Sequence, residues 1–241
     1  MKKVTIIISL QFLLNHFLVG QDTLRNKKFN LGAFVSPDYS YRMLPNNTGI
    51  ADTIARLRNS LEIPKFAYTL GLDFLYQIRK RMALSLGFQY SIKGEKTKSQ
   101  VYIFSSLPRS STSTPLPTSS YFKYNTTYID LPLRIDIYLS KKKIAPFISA
   151  GISTNIFLFE KIKQFETFVG GEQSERTYAG NKTYYKINPQ FQLGGGVDIV
   201  INKSRLRVFP IGRISVLRVN SGPVNGYFYS FGLGINYFFG L

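Results

Sequence analysis

Hydrophobic and polar residues alternate with period two along most of this chain. The pattern is plainest from Tyr128 to Phe159, YIDLPLRIDIYLSKKKIAPFISAGISTNIFLF. Ile129, Leu131, Leu133, Ile135, Ile137 and Leu139 fall on one side, and Asp130, Arg134 and Asp136 fall on the other. After a basic turn at Ser140–Ile144, the residues Ile148, Ala150, Ile152, Ile156 and Leu158 alternate with Phe147, Ser149, Gly151, Ser153 and Asn155. Side chains of a strand point to opposite faces in turn, so the segment predicts a hairpin with one oily face and one polar face. Each oily face runs for about eleven or twelve residues, close to the roughly 9–11 that a tilted strand needs to cross a bilayer.

Six further runs share the pattern. They cover Lys28 to Arg42, Lys65 to Arg79, Met82 to Gly94, Tyr185 to Ile201, Leu206 to Val219 and Tyr227 to Phe239. In the second, Phe66, Tyr68, Leu70, Leu72, Phe74, Tyr76 and Ile78 oppose Ala67, Thr69, Gly71, Asp73 and Gln77. Pro37 falls on the apolar face of the first and is expected to interrupt its ladder. Phe209 and Ile211 fall on the polar side of the seventh. The connections after the second, fourth and sixth runs are short and basic, whereas those after the first, third and fifth are long. Short turns at one end and long loops at the other are the outer-membrane pattern. The fold class expected is therefore all-β: an eight-stranded antiparallel up-and-down transmembrane β-barrel with long extracellular loops, in the cell outer membrane, both termini periplasmic. In the first loop, Ile54, Leu57 and Leu61 predict a short helix lined on one side by these residues. The Ser/Thr/Pro-rich stretch from Glu95 to Tyr121 predicts an irregular, mobile connection. Gly170-Gly171 predicts a turn that lets its flanking strands continue beyond the membrane.

The chain opens MKKVTIIISLQFLLNHFLVGQD. Lys2 and Lys3 followed by a short apolar run ending at Gly20 predict a signal peptide over residues 1–20, leaving residues 21–241 as the barrel domain. Composition agrees with a barrel. Tyr and Phe supply an aromatic content of 15%, Trp is absent, and no later stretch is apolar enough for a helical span. Taking away Lys2 and Lys3 leaves 29 basic residues against 13 acidic, a formal charge of +16. Behind a signal peptide, nucleic acid is excluded as a partner. Outer-membrane lipid and lipopolysaccharide phosphates suit that charge.

The runs YIDLPLRIDIY (Tyr128 to Tyr138), PFISAGISTNIF (Pro146 to Phe157), FQLGGGVDIVI (Phe191 to Ile201) and YSFGLGINYFF (Tyr229 to Phe239) resemble the PorT-like outer-membrane β-barrel proteins of Bacteroidetes-type bacteria. The resemblance implies fold and location rather than a reaction. It implies that the aromatic-rich last strand is read by the barrel insertion machinery. A subset of that family serves type IX protein secretion, and no motif here assigns the chain to that subset.

Chemistry is constrained by what is missing. The single histidine, His16, lies in the expected signal peptide, and cysteine is absent. That removes Ser-His-Asp triads, thiol nucleophiles and nearly every transition-metal site. No catalytic, cofactor-binding or metal residue is assigned, and no cofactor is expected. Asp130 and Asp136 are about 20 Å apart along one strand and cannot act as a close pair. Gly194-Gly195-Gly196 lacks the helix and Lys-Ser/Thr of a nucleotide loop. Asp73, Lys93, Asp130, Arg134, Asp136, Asp198 and Arg213 are expected instead to neutralise one another inside the barrel. Lys141, Lys142 and Lys143 are the candidate docking site for a secretion-system or periplasmic protein. An eight-stranded barrel has room only for its own side chains, so a surface binder or membrane anchor is expected rather than an enzyme or open porin. A soluble lipocalin-like carrier would instead place apolar residues inside.

Overall fold

The period-two runs become strands of one sheet. The computed structural model describes residues 28–45, 48–102, 116–180, 184–222 and 224–239. The expected signal peptide, residues 1–20, lies outside the described residues. In chain order the elements are β1 (Phe29–Met43), α1 (Ile50–Leu61), β2 (Glu62–Arg79), β3 (Met82–Lys93), β4 (Glu95–Thr97), β5 (Gln100–Val101), β6 (Pro117–Tyr138), β7 (Ile144–Phe168), β8 (Gln173–Ala179), β9 (Ile187–Ile201), β10 (Ser204–Ser215) and β11 (Tyr227–Phe239). Eight of these strands form a closed antiparallel ring, β1-β2-β3-β6-β7-β9-β10-β11, which shuts where Leu31 to Met43 pairs back on Phe239 to Tyr227. Closure removes every edge from the wall. β4, β5 and β8 are additional short strands.

Alternation decides which way the wall faces. Leu70, Leu72, Phe74, Leu86, Phe88, Ile135, Ile148, Ile152, Leu193 and Leu233 all lie exposed on the outside. Asp73, Arg134, Asp136, Asp198, Arg207 and Arg213 are buried within. This is the inverse of a soluble ligand carrier. Rings cluster at both rims of the outer face. Tyr39 meets Phe66 edge-on at 6.3 Å near one rim, and Phe29 meets Tyr76 at 4.8 Å near the other. Amphipathic rings favour the headgroup zone. No helix among the described residues is long and apolar enough to cross a membrane.

Prolines leave one-sided gaps in the ladders. Pro37 pairs with Tyr68 of β2, but the β1–β11 register skips from Val35 to Asp38. The β3–β6 register likewise skips between Leu86 and Gln89, beside Pro132. Proline has no N–H to give, so each gap falls on one side only.

Four expectations are corrected. The segment Glu95 to Tyr121 is not wholly irregular: β4, β5 and the first residues of β6 lie in it, and residues 103–115 are outside the described set. The Ser/Thr residues there build no core, yet β7 offers β6 a ladder from Pro117 onward, with register shifts at Pro117/Ser119 and Thr127/Tyr128. Pairing context rather than composition decides the strand. The helix forms, but its buried face is Ala55, packed with Ala51 against Leu44 and Val224, while Ile54 and Leu57 are exposed. The seventh run ends at Ser215 rather than Val219, because Val219 turns inward and its carbonyl accepts from the Tyr185 N–H at 3.0 Å. The sixth begins at Ile187, two residues later than its pattern suggested.

Around Gly170 and Gly171 the backbone takes φ values of 104° and 85°, which L side chains avoid. This turn folds β8 back on β7, and β6, β7 and β8 continue past the ring as a three-stranded sheet.

Candidate functional site

The lumen is filled by side chains that pair across it. Four of its carboxylates are held by arginines. Asp73 receives Arg134 Nη2 at 2.5 Å, Gln89 Nε2 at 2.7 Å and Asn236 Nδ2 at 2.6 Å. Asp136 receives Arg207 Nη1 at 2.8 Å and Ser85 Oγ at 2.5 Å. Asp198 receives Arg207 Nε at 3.2 Å and is also paired with Arg205. The Tyr138 hydroxyl accepts from both of these arginines. Nearer the long connections, Asp38 takes Arg213 Nη1 at 2.8 Å, Ser36 Oγ at 2.6 Å and Thr69 Oγ1 at 2.8 Å. Lys93 Nζ lies 2.9 Å from Asp130 and donates to Gln190 Oε1 at 3.0 Å.

Apolar residues fill what remains. Phe34, Leu75, Phe147, Phe209, Ile211 and Phe238 form one buried cluster. The Arg134 guanidinium stands 5.6 Å from the Phe209 ring and that of Arg207 stands 4.5 Å from Phe147, so the rings face the cations directly. Glycine makes room for this packing. A Cβ on Gly232 would lie 1.7 Å from Asp38 Oδ1, and one on Gly234 would lie 2.7 Å from the Phe209 ring. Gly194-Gly195-Gly196 sits within β9, where a Cβ on Gly196 would lie 2.2 Å from the Val208 carbonyl.

At the mouth beneath α1, the charges form a different cluster. Arg42 Nη2 contacts Glu62 at 3.0 Å and Glu95 at 2.7 Å, and Arg58 Nε reaches Glu62 at 2.7 Å. Tyr184 donates to Glu160 at 2.9 Å. Glu95 lies beyond the outward rings of Phe66 and Tyr39, opposite Pro64. Neither Glu95 oxygen receives an aligned hydrogen bond, and burial pushes its carboxyl up to about 7 against the pull of Arg42.

All seven residues expected inside, Asp73, Lys93, Asp130, Arg134, Asp136, Asp198 and Arg213, are buried, each in an ion pair. Asp38, Arg205 and Arg207 share in these pairs without having been singled out. Arg207 was legible as an inward position, and it sits directly opposite Asp198 in the register. Arg205 reads as part of a turn. Lys141 and Lys142 are exposed at the β6–β7 turn, and Lys143 is half-buried, its carbonyl accepting from the Val200 N–H at 2.9 Å. Among the described residues, no group of three or more His, Cys, Asp or Glu is placed to hold a metal.

A closed ring, oily outside and salt-bridged inside, defines a transmembrane β-barrel. The outer membrane protein beta-barrel domain family matches residues 20–215. The chain belongs to that family, and its place is the outer membrane. Similar solved structures include Neisserial surface protein A, at 11% identity and a TM-score of 0.42, covering 89% of this chain and 98% of that one. The attachment invasion locus protein Ail of Yersinia pestis matches at 9% identity and 0.39, covering 88% and 97%. The outer membrane enzyme PagL matches at 13% identity and 0.35, covering 84% and 97%. No curated protein matches the sequence.

Proposed function

We propose that this is a small, non-conducting barrel that works through its long-connection end, as a surface binder or membrane anchor and not as an enzyme. That end is extracellular and both termini are periplasmic, after removal of residues 1–20. The filled lumen carries the reading. Phe209, Phe147, Arg134 and Arg207 occupy the space a solute would need, and the buried carboxylates are engaged with cations. The ordered sheet β6–β8 and helix α1 are then the parts free to meet something else.

A second reading rests on the basic turns at the opposite end: Arg79-Lys80-Arg81, Lys141-Lys142-Lys143 and Lys203. In a PorT-like secretion component they would dock an acidic periplasmic partner. Unchanged pull-down after charge reversal at Lys141, Lys142 and Lys143 rejects it.

Orientation is tested with single cysteines, since the chain has none of its own. Val169→Cys at the exposed β7–β8 hairpin should react with an impermeant maleimide on intact cells, and Lys142→Cys only after lysis. The reverse result overturns the reading. Purified protein in a planar bilayer should show no sustained conductance, and a steady open channel would also overturn it.

A further inference from the structure

Beyond the ring, the sheet β6–β7–β8 has two faces that differ in kind. Glu160 reaches Tyr184 inside the mouth, so Glu160, Ile162, Gln164 and Glu166 continue the luminal face. The β6–β7 register slips by one residue at Leu158, between Tyr128↔Phe157 and Thr127↔Phe159, so beyond it Phe159, Lys161, Lys163 and Phe165 continue the outer, lipid-facing wall. Across the strands Lys123 pairs directly with Lys163, and Lys96 of β4 pairs directly with Lys123. This sets three lysines in a row over three strands, with Lys161 beside them.

Like charges directly opposite one another in a sheet are destabilising. Among the described residues the row is offset only in part. Glu175 takes Lys163 at 2.7 Å, but among the described residues no carboxylate pairs with Lys96, Lys123 or Lys161. Rings hold the ammonium groups in place instead. Tyr121 and Phe165 stack at 4.7 Å and 8°, with Lys123 Nζ 4.7 Å from the Phe165 ring, and Lys161 Nζ lies 5.2 Å from the exposed ring of Phe159.

The height of the row suggests what it meets. Phe159 pairs with Thr127, two residues above the lipid-facing Ile129. From Phe159 to Lys163 the strand climbs about 13 Å along its axis, or about 9 Å along the membrane normal at a tilt near 45°. That spans the headgroup layer above the hydrocarbon.

We infer that Lys96, Lys123, Lys161 and Lys163 form a binding face for the phosphates of an anionic glycolipid in the outer leaflet, its acyl chains lying against the wall below. This rests on the orientation proposed above and names the partner of that end.

The test uses the full chain in detergent, titrated with diphosphorylated lipid A and followed by native mass spectrometry. Detergent imposes no orientation, so the cysteine labelling reports separately on which end is outside. The variant Lys123→Gln/Lys161→Gln/Lys163→Gln should weaken retention about a hundredfold, at roughly fivefold per lysine. Monophosphorylated lipid A should bind the wild type more weakly than the diphosphorylated form. Lys141→Gln/Lys142→Gln/Lys143→Gln, an equal charge change at the other end, should leave binding intact, and both variants should keep the compact, heat-sensitive gel mobility of a folded barrel. Equal retention by wild type and the first variant would overturn the inference, as would equal loss in both variants. So would displacement by equimolar inorganic phosphate, which would mark a site for the free ion, or capture of a sulfated oligosaccharide with no lipid A bound.

Discussion

The two ends of the lumen solve the problem of buried charge differently. Near the short turns, Asp136 and Asp198 face Arg205 and Arg207, two charges of each sign, and Tyr138 takes up further donors from both arginines. At the mouth, Glu62, Glu95 and Glu160 face Arg42, Arg58 and the buried Lys65, but the bonding is uneven: both arginines turn to Glu62, while neither Glu95 oxygen receives an aligned hydrogen bond. A cluster whose carboxylates are bonded to guanidinium groups holds its geometry. A buried carboxylate without such bonds is eased by a proton, and burial pushes the Glu95 carboxyl up to about 7. The first end is built to lock the wall, and the second is built to respond to its surroundings.

The largest test breaks the balance of the locked end. Asp198→Ala leaves Arg205 and Arg207 with one carboxylate between them. Removing one partner of a buried pair costs about 3–5 kcal/mol. Urea unfolding in detergent, read by the gel shift between compact and unfolded forms, should show a loss of that size, and a loss under about 1 kcal/mol would mean the pair is not load-sharing.

The next test sharpens the contrast through pH. The Glu95 carboxyl stands at about 7, above its ordinary 4.5, so between those values the folded chain keeps a proton that the unfolded chain has lost. Its contribution is therefore full below about pH 4.5, falls as pH rises to about 7, and is flat beyond. Glu95→Gln should remove this slope and be the more stable protein at pH 8, by about 3 kcal/mol. Parallel curves for wild type and variant from pH 4.5 to 7 would contradict the assignment. The smallest effect belongs to Arg58, whose pair with Glu62 is part exposed. Arg58→Ala should cost about 1 kcal/mol or less.

The same contrast shows what the sequence can reveal. Period two placed Asp73, Asp130, Arg134, Asp136 and Asp198 inside because each wall strand carries its own record of in and out. It could not say which carboxylate meets which arginine, since pairing depends on register between strands distant in the chain. Arg207 finding Asp136 on β6 is such a case. Beyond the ring the record fails for another reason. Glu95 shares the inward parity of Lys93 and is buried, but it falls in the Ser/Thr/Pro-rich stretch from Glu95 to Tyr121 that composition marks as irregular. In α1 the helical period was visible, but Ala51 and Ala55, small enough to sit against Leu44 and Val224, took the buried side from Ile54 and Leu57. Phe209 and Ile211, which blurred the seventh run, are apolar filler for the lumen rather than a fault in the wall.

Closure of the ring carries a consequence for the order of events in assembly. The seam joins Leu31 to Phe239, the first wall strand to the last. Contacts so far apart in sequence form late and slowly, because a long stretch of chain must be ordered before they give anything back. Until β11 arrives, β1 and β10 each present an unpaired edge that no other described strand covers, and in the hydrocarbon layer such an edge is untenable. The last thirteen residues of the wall thus decide whether the other seven strands stay in the membrane at all.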